Sequence, residues 1–502
     1  MNDEIKDVNV DNDETPTTEE ITAQTEATDI EEETPTVSED EVAIELEDDE
    51  DEDDDEEEEL MKGKKKKAKK PLTPEQKKKR TKKALIITAA VVLVLAIFFS
   101  GVAIANAVGV KALIKSATSF AKIEYSEHTQ LVPVKDTDGY WAFTAEDDRD
   151  FKVLQFTDVH IGGGSFSQTK DAWAMNAVAT MIKAEQPDLV VVTGDIAYPV
   201  PFQAGTFNNL NATKIFANMM ESLEVYWTFA FGNHDTEAYS NYTRKEICEY
   251  YEGEINSGNF KYCLFQRGFS GEDHGYGNSI VKVKNNAGIV TQALVTFDSH
   301  SYIDGDYFGA AWKYDNIHQS QVDWYAAEMQ KIVAANVAKG GANTPVKNLA
   351  FFHIPLVEYR EAWADIMDKN GDRKDNQIES TAKVQYHYGV RGESDGKKNG
   401  KRTYGVFCGM HEDDLFEVGF DNGLQGTFCG HDHYNNFSVT YTKGDKTIRL
   451  TYGMSVDYLA YPGIYKEHAQ RGCTVISVKG DGSFDCAPKN YYSDYNVQHE
   501  KG

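Results

Sequence analysis

Five short apolar runs in this chain each end within a residue or two of an Asp, Asn or His, and no other feature constrains its fold as much. The runs are Phe151–Phe156, 188–193, 225–231, 348–352 and 426–429. Near-continuous apolarity of this length suits strands buried on both faces. The polar blocks at their ends are Asp158-Val159-His160, Gly194-Asp195, Gly232-Asn233-His234-Asp235, His353 and Gly430-His431-Asp432-His433. Ligands in open α/β sheets bind beyond the carboxyl ends of the strands, so five such ends can deliver these side chains to one crevice. A lone Asp-x-His or Gly-Asp is more often an ordinary core or loop pair. The ordered set carries the chemistry.

Imidazole with carboxylate, without clustered thiolates, suits zinc, iron or manganese. Two such ions about 3.5–4 Å apart clamp both the attacking and the leaving oxygen at phosphorus. The block order resembles the calcineurin-like metallophosphoesterase superfamily, whose pattern runs D-x-H, G-D, G-N-H-[DE], H, G-H-x-H. The stretches 351–356 and 428–436 look like its branch related to purple acid phosphatases. The resemblance spans residues 151–438 and implies an α/β chain with a four-layer α/β/β/α sandwich. It also implies two divalent or mixed-valence metal ions: manganese, iron or zinc.

By that resemblance Asp158, His160 and His433 hold the first metal, and Asn233, His353 and His431 hold the second. Asp195 bridges the two. His234 stabilises or protonates the leaving oxygen, and Asp235 fixes its orientation. A metal-bridging hydroxide attacks phosphorus, and no protein nucleophile is required. Tyr198 completes a G-D-x-x-Y sequence whose tyrosine binds ferric iron in true purple acid phosphatases. Those enzymes have glycine where this chain has His160, so Tyr198 is expected to pack beside the site.

The front of the chain has a different composition. Residues 1–59 hold thirty acids and one lysine, and 60–83 hold thirteen basic residues and one Glu. The formal charge of −31 is therefore mainly a property of the tail and says little about substrate. Residues 1–60 cannot bury enough apolar surface to offset ordering entropy and are expected to be a disordered cytoplasmic spacer, with a basic partner as the alternative. Residues 84–110 contain no charge. About twenty helical residues span a bilayer core, so a transmembrane helix is expected over 84–108. The run is too long and too far from the start for a cleaved signal peptide.

The basic segment 61–83 lies directly before this helix. The positive-inside rule then places the N-terminus in the cytoplasm and the catalytic domain outside the cell membrane. Beside an apolar span these lysines suit anionic lipid better than nucleic acid, and no nucleic-acid partner is expected.

Residues 109–150 read as a stalk with a first hairpin near 140–144, residues 151–492 as the catalytic domain, and 493–502 as a tail. Helices are expected near Gln168–Glu185, 213–223 and Gln319–Ala338, and late strands at 437–441, 447–452 and 474–478. The insertion 236–277 is a candidate wall over the site. Residues 368–379 have acids or amides at several calcium-loop places but Arg373 at the glycine place, so a polar turn is expected. Six cysteines do not make a disulfide scaffold in a domain this large. Cys248 with Cys263 and Cys473 with Cys486 are the local pairings to examine.

The leading functional expectation is a membrane-anchored phosphomonoesterase acting on a phosphate-ester substrate. A phosphodiesterase for nucleotides or lipid headgroups shares the same metal core and is the alternative. A non-catalytic binding protein on this fold is the second alternative; its mark would be a missing ligand, and this chain lacks none.

Overall fold

The computed structural model describes residues 73–126, 128–145, 149–306, 309, 311–370, 377–392, 394–398, 401–461 and 471–500. The acidic tail, the first part of the basic segment and residues 371–376 of the calcium-like stretch lie outside the described residues. Two compact units divide the chain, Met1–Lys78 and Lys79–Gly502. Of the first, residues 73–78 are described, and 74–78 are helical.

Helix α1 (Pro74–Ala117) is 44 residues long and extends past the expected 84–108 in both directions. Lys and Arg are good helix formers, so the basic flank continues the helix. It is long and apolar enough to cross a membrane. Residues 84–101 are exposed, whereas Val102, Asn106, Gly109, Leu113 and Ala117 turn inward at spacings of three and four. Leu113, Ala117 and Ile123 join the core of the domain. Residues 109–150 are therefore not a free stalk, because one apolar stripe of α1 is buried against the domain.

The expected first hairpin is β1 (Val134–Lys135) with β2 (Trp141–Thr144). Next come β3 (Phe151–Phe156), α2 (Gln168–Glu185), β4 (Leu189–Thr193), the short α3 (Pro201–Ala204), α4 (Asn209–Leu223) and β5 (Trp227–Ala230). Helix α5 (Arg244–Ser257) precedes β6 (Phe269–Gly271), β7 (Gly275–Lys284), β8 (Val290–Thr296), α6 (Gln319–Ala338) and β9 (Asn348–Phe351). Then follow α7 (Val357–Asn370), β10 (Val384–Tyr388), the hairpin β11 (Ser394–Lys398) and β12 (Lys401–Tyr404), α8 (Leu415–Asp421) and β13 (Leu424–Cys429). The last strands are β14 (Ser438–Lys443), β15 (Lys446–Tyr452), β16 (Gly472–Val478) and β17 (Phe484–Asn490).

These strands build two main sheets. One runs β17-β16-β3-β4-β5, with β3, β4 and β5 parallel. The other runs β1-β2-β7-β8-β9-β13-β15-β14-β10, with β8, β9, β13 and β15 parallel. Alternate residues of β3 and β4 serve different cores: Val153, Leu189 and Val191 face the second sheet, while Leu154, Phe156, Val190 and Val192 face the helices. That period of two is why these runs are apolar throughout. Each fully buried Val, Leu or Phe contributes roughly 1.5–3 kcal/mol. Cores lie between the sheets, under α2, α4 and α5, and under α6, α7 and α8, which gives four layers α/β/β/α.

The five site-bearing strands are divided between the sheets: β3, β4 and β5 belong to the smaller, β9 and β13 to the larger. Two expectations need correction. All six cysteines are free and buried. Cys486 pairs across from Ile476, three residues from Cys473 on the same strand, so the two thiols point to opposite faces. The expected tail also packs back: Tyr495 and Val497 lie against the helix-side core, and the Tyr495 hydroxyl donates to Glu185 Oε1 at 3.0 Å.

Candidate metal centre

The parallel strand ends of the two sheets converge on one buried cluster. Asp158 and His160 follow β3, Asp195 follows β4, and Asn233 follows β5. His353 follows β9, and His431 and His433 follow β13. The backbone joins the sheets here, since the His431 amide reaches the Asp158 carboxylate at 3.2 Å. Glycines allow the approach. A Cβ at Gly232 would collide with the Asp195 carboxylate, and one at Gly430 with the Thr157 hydroxyl.

Asp158, His160, Asp195 and His431 all have positive φ, at 50°, 53°, 54° and 81°. Non-glycine residues held this way cost on the order of 1–3 kcal/mol each and cluster at functional sites. The strain aims their side chains inward.

Two donor groups meet at Asp195. Its Oδ2 is 3.3 Å from His160 Nε2 on one side and 3.1 Å from His353 Nε2 on the other. On the His160 side, His433 Nε2 is 3.2 Å from Asp158 Oδ1. On the His353 side, Asn233 Oδ1 is 3.1 Å from His353 Nε2 and 3.0 Å from His431 Nδ1. Metal bonds of about 2.0–2.1 Å to such donors give ligand-to-ligand edges of about 2.8–3.0 Å in octahedral and about 3.3–3.4 Å in tetrahedral geometry. The observed spacings match those edges. Asp158, His160, Asp195 and His433 form a buried group able to hold one ion.

Partners behind the donors set their orientation. His353 Nδ1 lies 2.9 Å from the Thr193 carbonyl, which leaves Nε2 facing the cluster. His160 Nδ1 is 3.2 Å from Asp457 Oδ1. Asp457 had no place in the sequence reading: it lies five residues beyond β15, a strand of mixed polar and apolar residues. The parallel bridge of Thr157 with Ser455 brings it alongside His160.

Among the protein groups themselves, burial disfavours the charged His160 imidazole, yet Asp457 and Asp195 outweigh it and lift its pKa to about 10. Burial likewise acts against charged His353, but Asp195 raises it to about 9. Burial would raise the Asp195 carboxyl, and the facing His353 and His234 instead hold it well below its ordinary range. Burial together with neighbouring His353 pushes His431 well down.

His234 stands at the rim, partly exposed, with Nδ1 2.7 Å from Glu237 Oε1. The expected role of Asp235 is corrected. Its Oδ2 accepts from the amides of Asp195 at 3.0 Å and Gly232 at 2.8 Å, and its Oδ1 from Ala197 at 2.8 Å. It braces the loop that carries Asp195, and Glu237 is the carboxylate that orients His234. The His234–Glu237 spacing of three places both on one turn, a signal present in the sequence.

Tyr198 packs its ring 4.7 Å from His160 and 4.9 Å from His234, and burial raises its hydroxyl pKa. A cleft of about 220 Å³ opens over the centre, lined by His234, Trp312, Tyr314, Phe407, His433 and Tyr461 among others. The insertion 236–277 supplies none of those residues. Its Arg244 instead braces the next loop, donating to Gly232 O and His300 O, each at 2.9 Å. Elsewhere, Tyr359 is buried in the core, Phe202 is exposed, and His274 is hydrogen-bonded to Ser320 at 2.7 Å.

Residues 151–435 match the family described as calcineurin-like phosphoesterase. A relative from Arabidopsis thaliana named "Probable inactive purple acid phosphatase 28" is 25% identical, over 63% of this chain and 72% of that protein. "Phosphatase DCR2" of Saccharomyces cerevisiae is 26% identical, over 66% of this chain and 53% of that protein. A solved structure of a dimetal phosphatase from Danio rerio is similar at 11% identity and a TM-score of 0.39, covering 68% of this chain and 97% of that one. The matched residues make up more than half of the chain and carry all five polar blocks of the centre, and on that ground the chain belongs to the calcineurin-like phosphoesterase family.

Proposed function

We propose that this chain is a membrane-anchored, dinuclear metal-dependent phosphoesterase. The observation that supports it best is the meeting of seven donor side chains at the spacings of two coordination shells sharing Asp195 Oδ2. Imidazole, carboxylate and amide oxygen donors fit manganese, iron or zinc. Such a pair, when bound, supplies charge to the phosphoryl oxygens and acidifies a water for in-line attack.

The chain's own residues do the rest. Asp195, facing His160 on one side and His353 on the other, links the two donor groups. His234, with Nδ1 held by Glu237, offers Nε2 to the departing oxygen. Glu237 also accepts from the Tyr302 hydroxyl at 3.1 Å, and Tyr302 accepts from Asn233 Nδ2 at 3.1 Å. The proton donor is thereby tied to a ligand. Trp312, Tyr314, Phe407 and Tyr461 narrow the cleft and favour a phosphomonoester over a bulkier diester.

The anchor reading is supported by the exposed apolar part of α1 and by the basic residues before it. By the positive-inside rule that asymmetry supports a catalytic domain on the outer side. A non-catalytic binding protein is the second reading, favoured by the word "inactive" in the name of the Arabidopsis relative.

The test is hydrolysis of p-nitrophenyl phosphate and bis-p-nitrophenyl phosphate by the detergent-solubilised full chain with manganese, zinc or iron. Faster monoester cleavage supports the leading reading, and faster diester cleavage replaces it with a phosphodiesterase. Two bound metals without turnover on either would favour the binding protein.

A further inference from the structure

Asn106 lies inside the uncharged run, yet it makes two hydrogen bonds to the catalytic domain. Its Nδ2 donates to the Gly205 carbonyl at 2.7 Å, and its Oδ1 accepts from the Ser165 amide at 2.6 Å. Both partners belong to loops near the site. Ser165 follows the Asp158-Val159-His160 block, and Gly205 ends helix α3. Phe166 packs over Gly205, because a Cβ there would meet its ring.

Three aromatic side chains stand out to solvent around this junction: Phe202 is 92% exposed, Phe166 58% and Phe207 48%. Among the described residues Phe202 is left almost uncovered, and exposed aromatic side chains on neighbouring loops mark an interaction surface. What covers it follows from its height on α1. A bilayer core of about 30 Å takes about twenty helical residues, which from the first uncharged residue means 84–103. Asn106 then lies about 4–5 Å beyond that boundary, within a headgroup layer roughly 5–7 Å deep. The loops hung on Asn106 share that depth, where exposed aromatic rings are favoured.

We propose that Phe166, Phe202 and Phe207 form a second membrane contact, a foot that seats the catalytic domain in the headgroup layer of the bilayer crossed by α1. The foot reaches the cleft. Gln203, next to Phe202, donates to the carbonyls of Leu459 and Ala460 at 3.4 Å. That segment carries Asp457, which holds His160, and Tyr461, which lines the cleft. The rim of the metal centre is thus held at the membrane surface, and the domain cannot swing away on a free stalk. This inference rests on the anchor reading.

The experiment uses the full chain in phosphatidylcholine–phosphatidylglycerol vesicles. The six native thiols are buried, so a fluorophore attached to Phe202→Cys reports that position alone. Val337→Cys is the control: it is 43% exposed, on α6 in the opposite outer layer. Spin-labelled lipids with the quencher near the headgroup should quench the Phe202→Cys label about twofold or more beyond the control, as for groups buried 5–10 Å into the interface. Vesicle flotation of the same samples separates the two readings. Protein that floats with equal quenching at both positions overturns the foot and leaves the anchor intact. Protein that does not float overturns both.

Discussion

Glu237 Oε1 lies 2.7 Å from His234 Nδ1, so the carboxylate three residues on, rather than adjacent Asp235, fixes the imidazole over the cleft. The two acids have separate tasks. Glu237→Gln should lower kcat about 10–100-fold with metal content unchanged, because it weakens a positioning partner. His234→Ala should cost about 10²–10⁴-fold, also with both metals retained. Steady-state kinetics beside elemental analysis checks both, and full turnover by His234→Ala would remove its assigned role.

Asp235→Asn should act on the scaffold instead. Three backbone amides donate to this carboxylate, and an amide side chain cannot accept from all of them. A lost acceptor for a buried amide costs about 1–3 kcal/mol, which thermal melting will show as a lower Tm. An unchanged Tm would argue that the loop rearranges freely.

Asp195→Asn should reduce occupancy at both metal positions, since its Oδ2 faces His160 and His353 alike. Asn233→Ala should reduce one only. For the native chain, metal at a hundred times its Kd adds about 2.7 kcal/mol of stability, so chelation should lower Tm reversibly. Elemental analysis showing one full site in Asp195→Asn would exclude a bridging position.

Asp413 links stability to pH away from the metal centre. Burial first, and then nearby Glu358, raise its carboxyl from 3.8 to about 8. Its favourable contribution is fully present below the unfolded pKa, falls as pH rises above it, and is lost above the folded pKa. Asp413→Asn keeps the acceptor for the Leu415 amide and does not titrate. The variant should therefore gain on the native protein between pH 4 and 8, and parallel Tm–pH curves would contradict this.

The thiols supply a fifth check. All six are free and buried, and burial raises those of Cys248, Cys263 and Cys429 well above the ordinary thiol range. The native protein should resist a thiol-specific chromogenic reagent, and the unfolded protein should react at six positions per chain. Addition of a reductant should leave Tm in place. Four reactive thiols after unfolding would indicate a disulfide.

By itself the sequence determined the site-bearing strands, the order of the metal-ligand blocks and the long apolar helix. Each is a local pattern: near-continuous apolarity in β3 and β4, glycine where strand ends crowd, and a run without charge at 84–110. Such patterns follow from backbone geometry and hydrophobic burial within a few residues. Which sheet each strand joins was not legible, because apolar runs buried on both faces look alike in either sheet.

The tertiary structure alone decided that Asp457 backs His160, that Asn106 grips the loops at 165 and 205, and that Cys473 and Cys486 face apart. The spacing of Glu237 from His234 was visible, but the choice between two nearby acids depended on where the backbone amides of Asp195, Ala197 and Gly232 had already claimed Asp235. A buried amide must find an acceptor, and that requirement is satisfied across the fold rather than along the chain.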